Sequence, residues 1–227
     1  MRHPRARLAS IALGVGLLAS VLTACGAGTR PTVAPSGGGA AVPAAGSQPS
    51  GAAVPNIARK QYNAAPALSI DVNKAYTATI KTNLGDIKVA LNAKDAPNTV
   101  NNFVFLAREK FYDGVIFHRI IKGFMIQGGD PTGTGSGGPG YKFADEPVKG
   151  KYEVGSIAMA NSGKDTNGSQ FFICEGAQCT SLGPQYNLFG KTIEGLDIVQ
   201  KIAAVQTATG DRPVQEVRIT TIEITEQ

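Results

Sequence analysis

From Gly26 to Pro55 the chain reads GAGTRPTVAPSGGGAAVPAAGSQPSGAAVP, mostly Gly, Ala, Pro and Ser, with one charged side chain and no aromatic. Such a stretch buries too little apolar surface to offset the entropy lost on ordering it. Any core must therefore come from the residues C-terminal to it. The pattern changes near Val72 and holds to Gln227, and with 42% hydrophobic residues among 227 the chain can build one real domain. Residues 25–70 read as a flexible tether, with Pro66 to Ile70 placed where they can pack on the domain. The folded part is residues 71–227.

The N-terminus, MRHPRARLASIALGVGLLASVLTAC, has a positive segment ending at Arg7 and an uncharged segment from Leu8 to Ala24. The uncharged run is short for a membrane span and ends in small residues, so residues 1–24 read as a signal peptide. Leu22-Thr23-Ala24-Cys25 resembles the bacterial lipobox, in which the cysteine thiol is alkylated with diacylglycerol and the chain is cut just before it. That resemblance implies lipidation at Cys25 and an exported protein held at the outer face of a cell membrane, since two acyl chains suffice for stable attachment. The net charge of +5 falls to +2 once Arg2, Arg5 and Arg7 are set aside. No long basic run or aromatic stripe argues for a nucleic-acid partner.

Within the domain, AYTATIKT (75–82) and DIKVALN (86–92) flank Asn83-Leu84-Gly85 and predict a hairpin. Val100, Phe103, Val104 and Ala107 have helical spacing, with Pro97 in the first turn. Short strands are expected near 115–121, 124–128, 154–160, 170–174 and 188–192. A second helix is expected at 195–204, with Leu196, Val199 and Ile202–Ala203 on one face. VRITTIEIT (217–225) alternates as a last strand. Many short strands, Gly-rich turns and two helices predict a β-barrel or sandwich with helical caps.

Several chemistries are excluded by count. Beyond the signal peptide the only histidine is His118, and beyond Cys25 the only cysteines are Cys174 and Cys179. A zinc site would need carboxylates from unrelated places, so no metal is expected. No G-x-S-x-G is present for a hydrolase triad. GTGSGGPG (133–140) lacks the Lys-Ser/Thr of a phosphate loop and reads as a surface loop. Cys174 and Cys179 can pair in an oxidising exported setting or remain two thiols; the spacing does not decide.

Two segments stand apart. In VIFHRIIKGFMIQGGD (115–130), a permanent cation and an amide interrupt an apolar run, and strand parity places Phe117, Arg119 and Ile121 on one face with His118 on the other. An arginine in a strand is ordinarily an exposed edge group. In MANSGKDTNGSQFFI (159–173), Asn161, Asn167 and Gln170 lie beside Phe171 and Phe172. Amides with aromatics suggest a groove that hydrogen-bonds an extended peptide and holds an apolar ring.

These two motifs, in this order and followed by LFGK (188–191), resemble the cyclophilin family of peptidyl-prolyl cis/trans isomerases over about residues 75–226. The helix APNTVNNFVFLAREKF leading into FHR also fits. The resemblance implies a mainly β fold, a closed eight-stranded antiparallel barrel capped by two α-helices. It gives Arg119 the catalytic arginine position, with His118 beside it among the substrate-binding residues. Phe124, Met125 and Phe172 would wall the proline pocket. Gln127 and Asn161 would bind peptide backbone, Ala160 and Gln170 would line the site, and Leu182 and Tyr186 would complete the pocket. Ser181 stands where many eukaryotic members have a tryptophan, which implies weak cyclosporin binding.

The implied activity is rotation about X–Pro bonds in exported or cell-surface polypeptides, by a monomer and without a cofactor, because no bond is made or broken. The atypical segment CEGAQCTSLGPQYN (174–187) motivates an alternative, a chaperone or adhesin that holds proline segments with little turnover. A solute-binding lipoprotein suits the anchor but not the motifs.

Overall fold

The computed structural model describes residues 60–227. The expected signal peptide, the lipidated Cys25 and the tether up to residue 59 lie outside the described residues. Eight strands and two α-helices follow in the order β1 (Tyr76–Thr82), β2 (Gly85–Leu91), α1 (Pro97–Arg108), β3 (Arg119–Ile121), β4 (Met125–Gly128), β5 (Ser156–Met159), β6 (Phe171–Cys174), β7 (Leu188–Glu194), α2 (Leu196–Ala203) and β8 (Ile219–Glu226).

The first hairpin forms where the alternation predicts it. Tyr76, Ala78 and Ile80 on β1 and Ile87, Val89 and Leu91 on β2 are all buried, so the two strands share one inward face. Gly85 closes the turn at φ +136°, and a Cβ there would fall 2.6 Å from Ile198 Cδ1 of α2. The dihedral favours glycine, and its missing side chain lets Ile198 sit close against the turn.

The strands make one antiparallel sheet in the order β3-β4-β6-β5-β7-β2-β1-β8. It curls around a core in which Phe103 of α1 packs edge-on to Phe171, with ring centroids 5.5 Å apart, and lies 5.2 Å from Phe189. Val100, Phe103, Val104 and Ala107 all face this core, as their spacing predicts.

Three expectations are corrected. The ladder is not closed strand to strand: β3 and β8 are the sheet edges. Among the described residues the seam is crossed by the chain before β3, where Ile116 bridges Arg218 and Phe117 N donates to Val217 O at 2.9 Å. This switch of partner also breaks the parity expected for the arginine strand. Phe117 is fully buried and points inward like Ile120, while Arg119 and Ile121 point out. Leu196 does not join the inward face of α2; it is exposed, and Val199, Ile202 and Ala203 carry the contact.

The end of the tether packs on the domain at Pro66 to Ile70, and contacts begin earlier, at residues 60–62. Its last residues lie against the domain, because α1 and the 138–140 loop offer partners for their backbone. Asn101 Oδ1 accepts from Ser69 N and Ile70 N, and its Nδ2 donates to Ala67 O at 3.0 Å. Tyr62 packs on Phe105 with ring centroids 5.1 Å apart.

Candidate active site

The site is built on the outer face of the strands whose inner face makes the core. Register sets Arg119 opposite Gln127, Gln127 opposite Phe172, and Phe172 opposite Ala158. Side chains paired across neighbouring strands stand about 5 Å apart on one face, so a cation, an amide and a ring form a row. Alternation does the sorting: Ile126 and Phe171 point into the core, while Met125, Gln127 and Phe172 point out of it.

Beside this row lies a second, smaller apolar cluster. Met125, Ala158, Phe172 and Leu188 are buried in it, and Phe124, Ala160, Leu182 and Tyr186 pack on it while remaining partly open to solvent. The Tyr186 ring meets Phe172 edge-on, at 5.5 Å between centroids and 89° between planes. The sequence therefore named residues that the fold does bring together, although they come from three distant segments.

Phe124 and Leu182 are positioned by one local device. The turn before β4 is clasped by the loop after β6: Glu175 N donates to Phe124 O at 2.9 Å, Gln178 N donates to Gly123 O at 3.2 Å, and Gly123 N donates to the Glu175 carboxylate. Cys174 and Cys179 are joined as a disulfide, with Cα atoms 5.6 Å apart, across a 3₁₀ turn at Ala177–Ser181. Leu182 follows directly.

The polar side of the site is a trough lined by Gln127, Ala160, Asn161 and Gln170, with the 135–142 loop as its far wall. Gln127 Nε2 donates to Gln170 Oε1 at 3.0 Å, and Gln170 Nε2 donates in turn to Gly135 O and Gly137 O. Asn161 Nδ2 donates to Gln185 O at 2.8 Å. The loop is fastened from within by Asp130, which is fully buried and accepts from Thr132 N, Thr134 N, Gly135 N and Gly137 N. Burial alone would raise the Asp130 pKa, but the bonds from Thr132, Gly137 and Gly135 outweigh it and hold the carboxyl below its ordinary range.

Arg119 is exposed, and among the described residues its only side-chain bond runs from Nε to Asp211 Oδ2, at 3.3 Å. The Nη groups are left to donate elsewhere. His118 behaves differently from its neighbour. It is 6% exposed, does not line the trough, and has both ring nitrogens buried without a hydrogen-bond partner. Burial lowers its pKa; Asp130 opposes that, while Arg212 and Arg119 reinforce it. His118 is therefore a neutral ring behind the 130–135 loop.

Comparison with known proteins decides the family. Residues 77–224, more than half of the chain, match the model of the cyclophilin type peptidyl-prolyl cis-trans isomerase/CLD family. This chain belongs to that family. Among similar cyclophilins, peptidyl-prolyl cis-trans isomerase A of Mycobacterium tuberculosis is 48% identical over 167 residues, covering 65% of this chain and 91% of that protein. The peptidyl-prolyl cis-trans isomerase of Helicobacter pylori is 48% identical over 136 residues, covering 58% of this chain and 83% of its own length. A cyclophilin type isomerase of Cryptosporidium parvum, solved in the presence of the dipeptide Ala-Pro, superposes with a TM-score of 0.63 at 38% identity, covering 66% of this chain and 99% of its own. The chain is thus a cyclophilin-type peptidyl-prolyl cis-trans isomerase with eight antiparallel strands and two helices.

Two residues beside the site escaped the sequence reading. Asp211 lies 92 positions from Arg119 in a Gly-containing turn, and no local pattern marks it as the arginine's partner. Gln61 sits in the stretch assigned to the tether, yet it lines the trough.

Proposed function

We propose that Arg119 is the group that lowers the barrier to X–Pro rotation, and that the outer cluster holds the proline ring while the trough holds the flanking backbone. A prolyl bond resists rotation by about 20 kcal/mol because the nitrogen lone pair is delocalised into the carbonyl. Twisting the bond returns that pair to nitrogen, so a donor aimed there stabilises the twisted state more than the planar one. A guanidinium is well matched to this role, since it stays charged and offers several fixed donors.

One observation carries this reading. Arg119 stands in register with Gln127 and Phe172, so the donor, an amide for peptide backbone and a wall of the apolar pocket share one face. Phe124, Met125, Phe172 and Leu182 grip the ring, with Ala160 and Tyr186 at its margin. Gln127, Asn161 and Gln170 fix the backbone on one side of the bond, which leaves the other side free to turn. His118 backs the loop that Gln170 holds.

The rest of the proposal comes from the N-terminal sequence. The enzyme acts as a monomer, exported and tethered through lipidated Cys25, on exported or surface polypeptides that contain proline. Globomycin treatment of producing cells should make a larger precursor accumulate, and an unchanged mature size contradicts the lipid anchor. Cyclosporin binds weakly, since Ser181 ends the 3₁₀ turn without a ring to cover a large apolar ligand; inhibition at nanomolar concentrations contradicts this. The activity itself is tested by NMR exchange on a proline peptide. Accelerated cis/trans exchange is expected, and affinity without acceleration would favour a holding chaperone.

A further inference from the structure

The family match begins at residue 77, but the wall of the trough does not. Gln61 lines the trough alongside Gln127, Ser136, Lys142, Asn161 and Gln170. Its Nε2 donates to Gly138 O at 2.9 Å, and Tyr62 N donates to Pro139 O at 2.8 Å. Gly140 makes room for this strap. It lies at φ +98°, and a Cβ there would fall 2.6 Å from Tyr62 O and 2.9 Å from Gln61 Oε1.

The strap is held well enough to act as a wall. The Tyr62 ring sits among Phe105, Phe111 and Tyr141, at centroid distances of 5.1, 6.4 and 6.4 Å. Farther along, Asn101 is 2% exposed and satisfies backbone groups of residues 66–70 in both directions. The 135–138 loop is thus gripped from one side by Gln170 and Asp130, and from the other by Gln61. Through Gln170 that loop connects to Gln127, so strap and peptide-binding amides belong to one hydrogen-bonded unit.

We propose that Gln61, held by the Tyr62 anchor, is a specificity-determining residue that selects an acceptor-bearing side chain, best a carboxylate, on a client residue flanking the proline. The inference rests on the isomerase reading of the same site. Gln61 Nε2 carries two hydrogens; one is bound to Gly138 O, and among the described residues the second has no acceptor and can donate to a ligand. Exposed Lys142 lines the same trough and adds attraction for an anion. A large apolar side chain would desolvate these groups without return.

The test uses the full-length protein with Gln61→Ala and Tyr62→Ala variants, on short proline peptides carrying Glu, Ala or Leu at a flanking position. Affinity by NMR titration and kcat/KM by exchange are measured for each peptide, with thermal unfolding as the check on folding. Wild type should prefer Glu over Leu. Gln61→Ala should reduce that preference about fivefold, the worth of one hydrogen bond. Tyr62→Ala should do the same by releasing the strap; should it unfold, Gln61→Ala decides alone. An unchanged Glu-to-Leu preference, or an equal loss on every peptide, overturns the proposal. Peptide binding without accelerated exchange would defeat the isomerase reading, while the affinity ratios would still decide about Gln61. Binding to none of the peptides would overturn both.

Discussion

The two apolar clusters of this cyclophilin share strands but not roles. Phe171 and Phe172 are adjacent in sequence, yet Phe171 joins Phe103 and Phe189 inside the curled sheet while Phe172 joins Met125 and Tyr186 outside it. The inner cluster is closed on all sides, with its largest rings fully buried. The outer cluster is smaller and left partly open at Phe124, Leu182 and Tyr186. A contiguous apolar surface left open on a folded domain is a candidate interaction site. Strand alternation therefore divides one short segment between a closed core and an open face, and if that face binds the proline ring as proposed, substitutions on the two faces should separate stability from recognition.

The sharpest break of the comparison is a pair of truncations. Phe103→Ala should cost roughly 3–5 kcal/mol by urea unfolding, because the closed core cannot collapse around the lost ring. Phe124→Ala should cost less than about 1 kcal/mol, because the ring is already partly hydrated, but should weaken proline-peptide binding. Equal losses of stability would show that the outer cluster is ordinary core.

The disulfide comes next in size. Cys174 and Cys179 close a small ring beneath Leu182, and in the chain-entropy model such a link stabilises by about 2 kcal/mol. Adding reductant should lower the thermal midpoint of the wild type and leave a Cys174→Ala/Cys179→Ala variant unmoved. An unchanged wild-type midpoint would show that the outer cluster does not depend on the staple.

The smallest effect is a dependence on pH. His118 has a folded pKa below its ordinary value of 6.5 because it is buried. On acidification the unfolded chain therefore takes up a proton first, so stability is full above about pH 6.5 and falls as pH falls. Asp130, with its pKa also depressed, adds a loss in the same direction only below about pH 4. The urea midpoint should drop between about pH 7 and about pH 5.5, and His118→Gln should flatten that drop. An identical slope in the variant would remove His118 from the account.

Much of this was legible in the sequence, for identifiable reasons. The β1–β2 hairpin and α1 each bury one face, and burial of one face writes a period into the chain. Phe124, Met125, Ala160, Phe172, Leu182 and Tyr186 of the outer cluster were legible through the resemblance to the family, while Tyr152, Ala158 and Leu188 beneath them were not; composition and spacing alone indicated only an amphipathic groove. The features that stayed hidden depend on contacts with no local signature. Phe117 turns inward because the chain changes partner between Ile116 and Arg119, and parity counting assumes a single ladder. Residues 60–62 look like tether by composition, and they are held by Tyr141, Pro139 and Gly138, which lie far along the chain. GTGSGGPG shows nothing beyond a loop until Asp130, Gln170 and Gln61 are seen to hold it. Asp211 has no mark at all until it stands beside Arg119.

The central claim is that Arg119 performs the chemistry while contributing little to the fold. The direct measurement is exchange NMR on one proline peptide with wild type and Arg119→Ala, each also titrated with urea. The account predicts a loss of about a hundredfold or more in catalysed exchange, as for removal of a donor aimed at the transition state, with the unfolding free energy within about 0.5 kcal/mol of wild type. A folded Arg119→Ala protein that retains full exchange activity would contradict it.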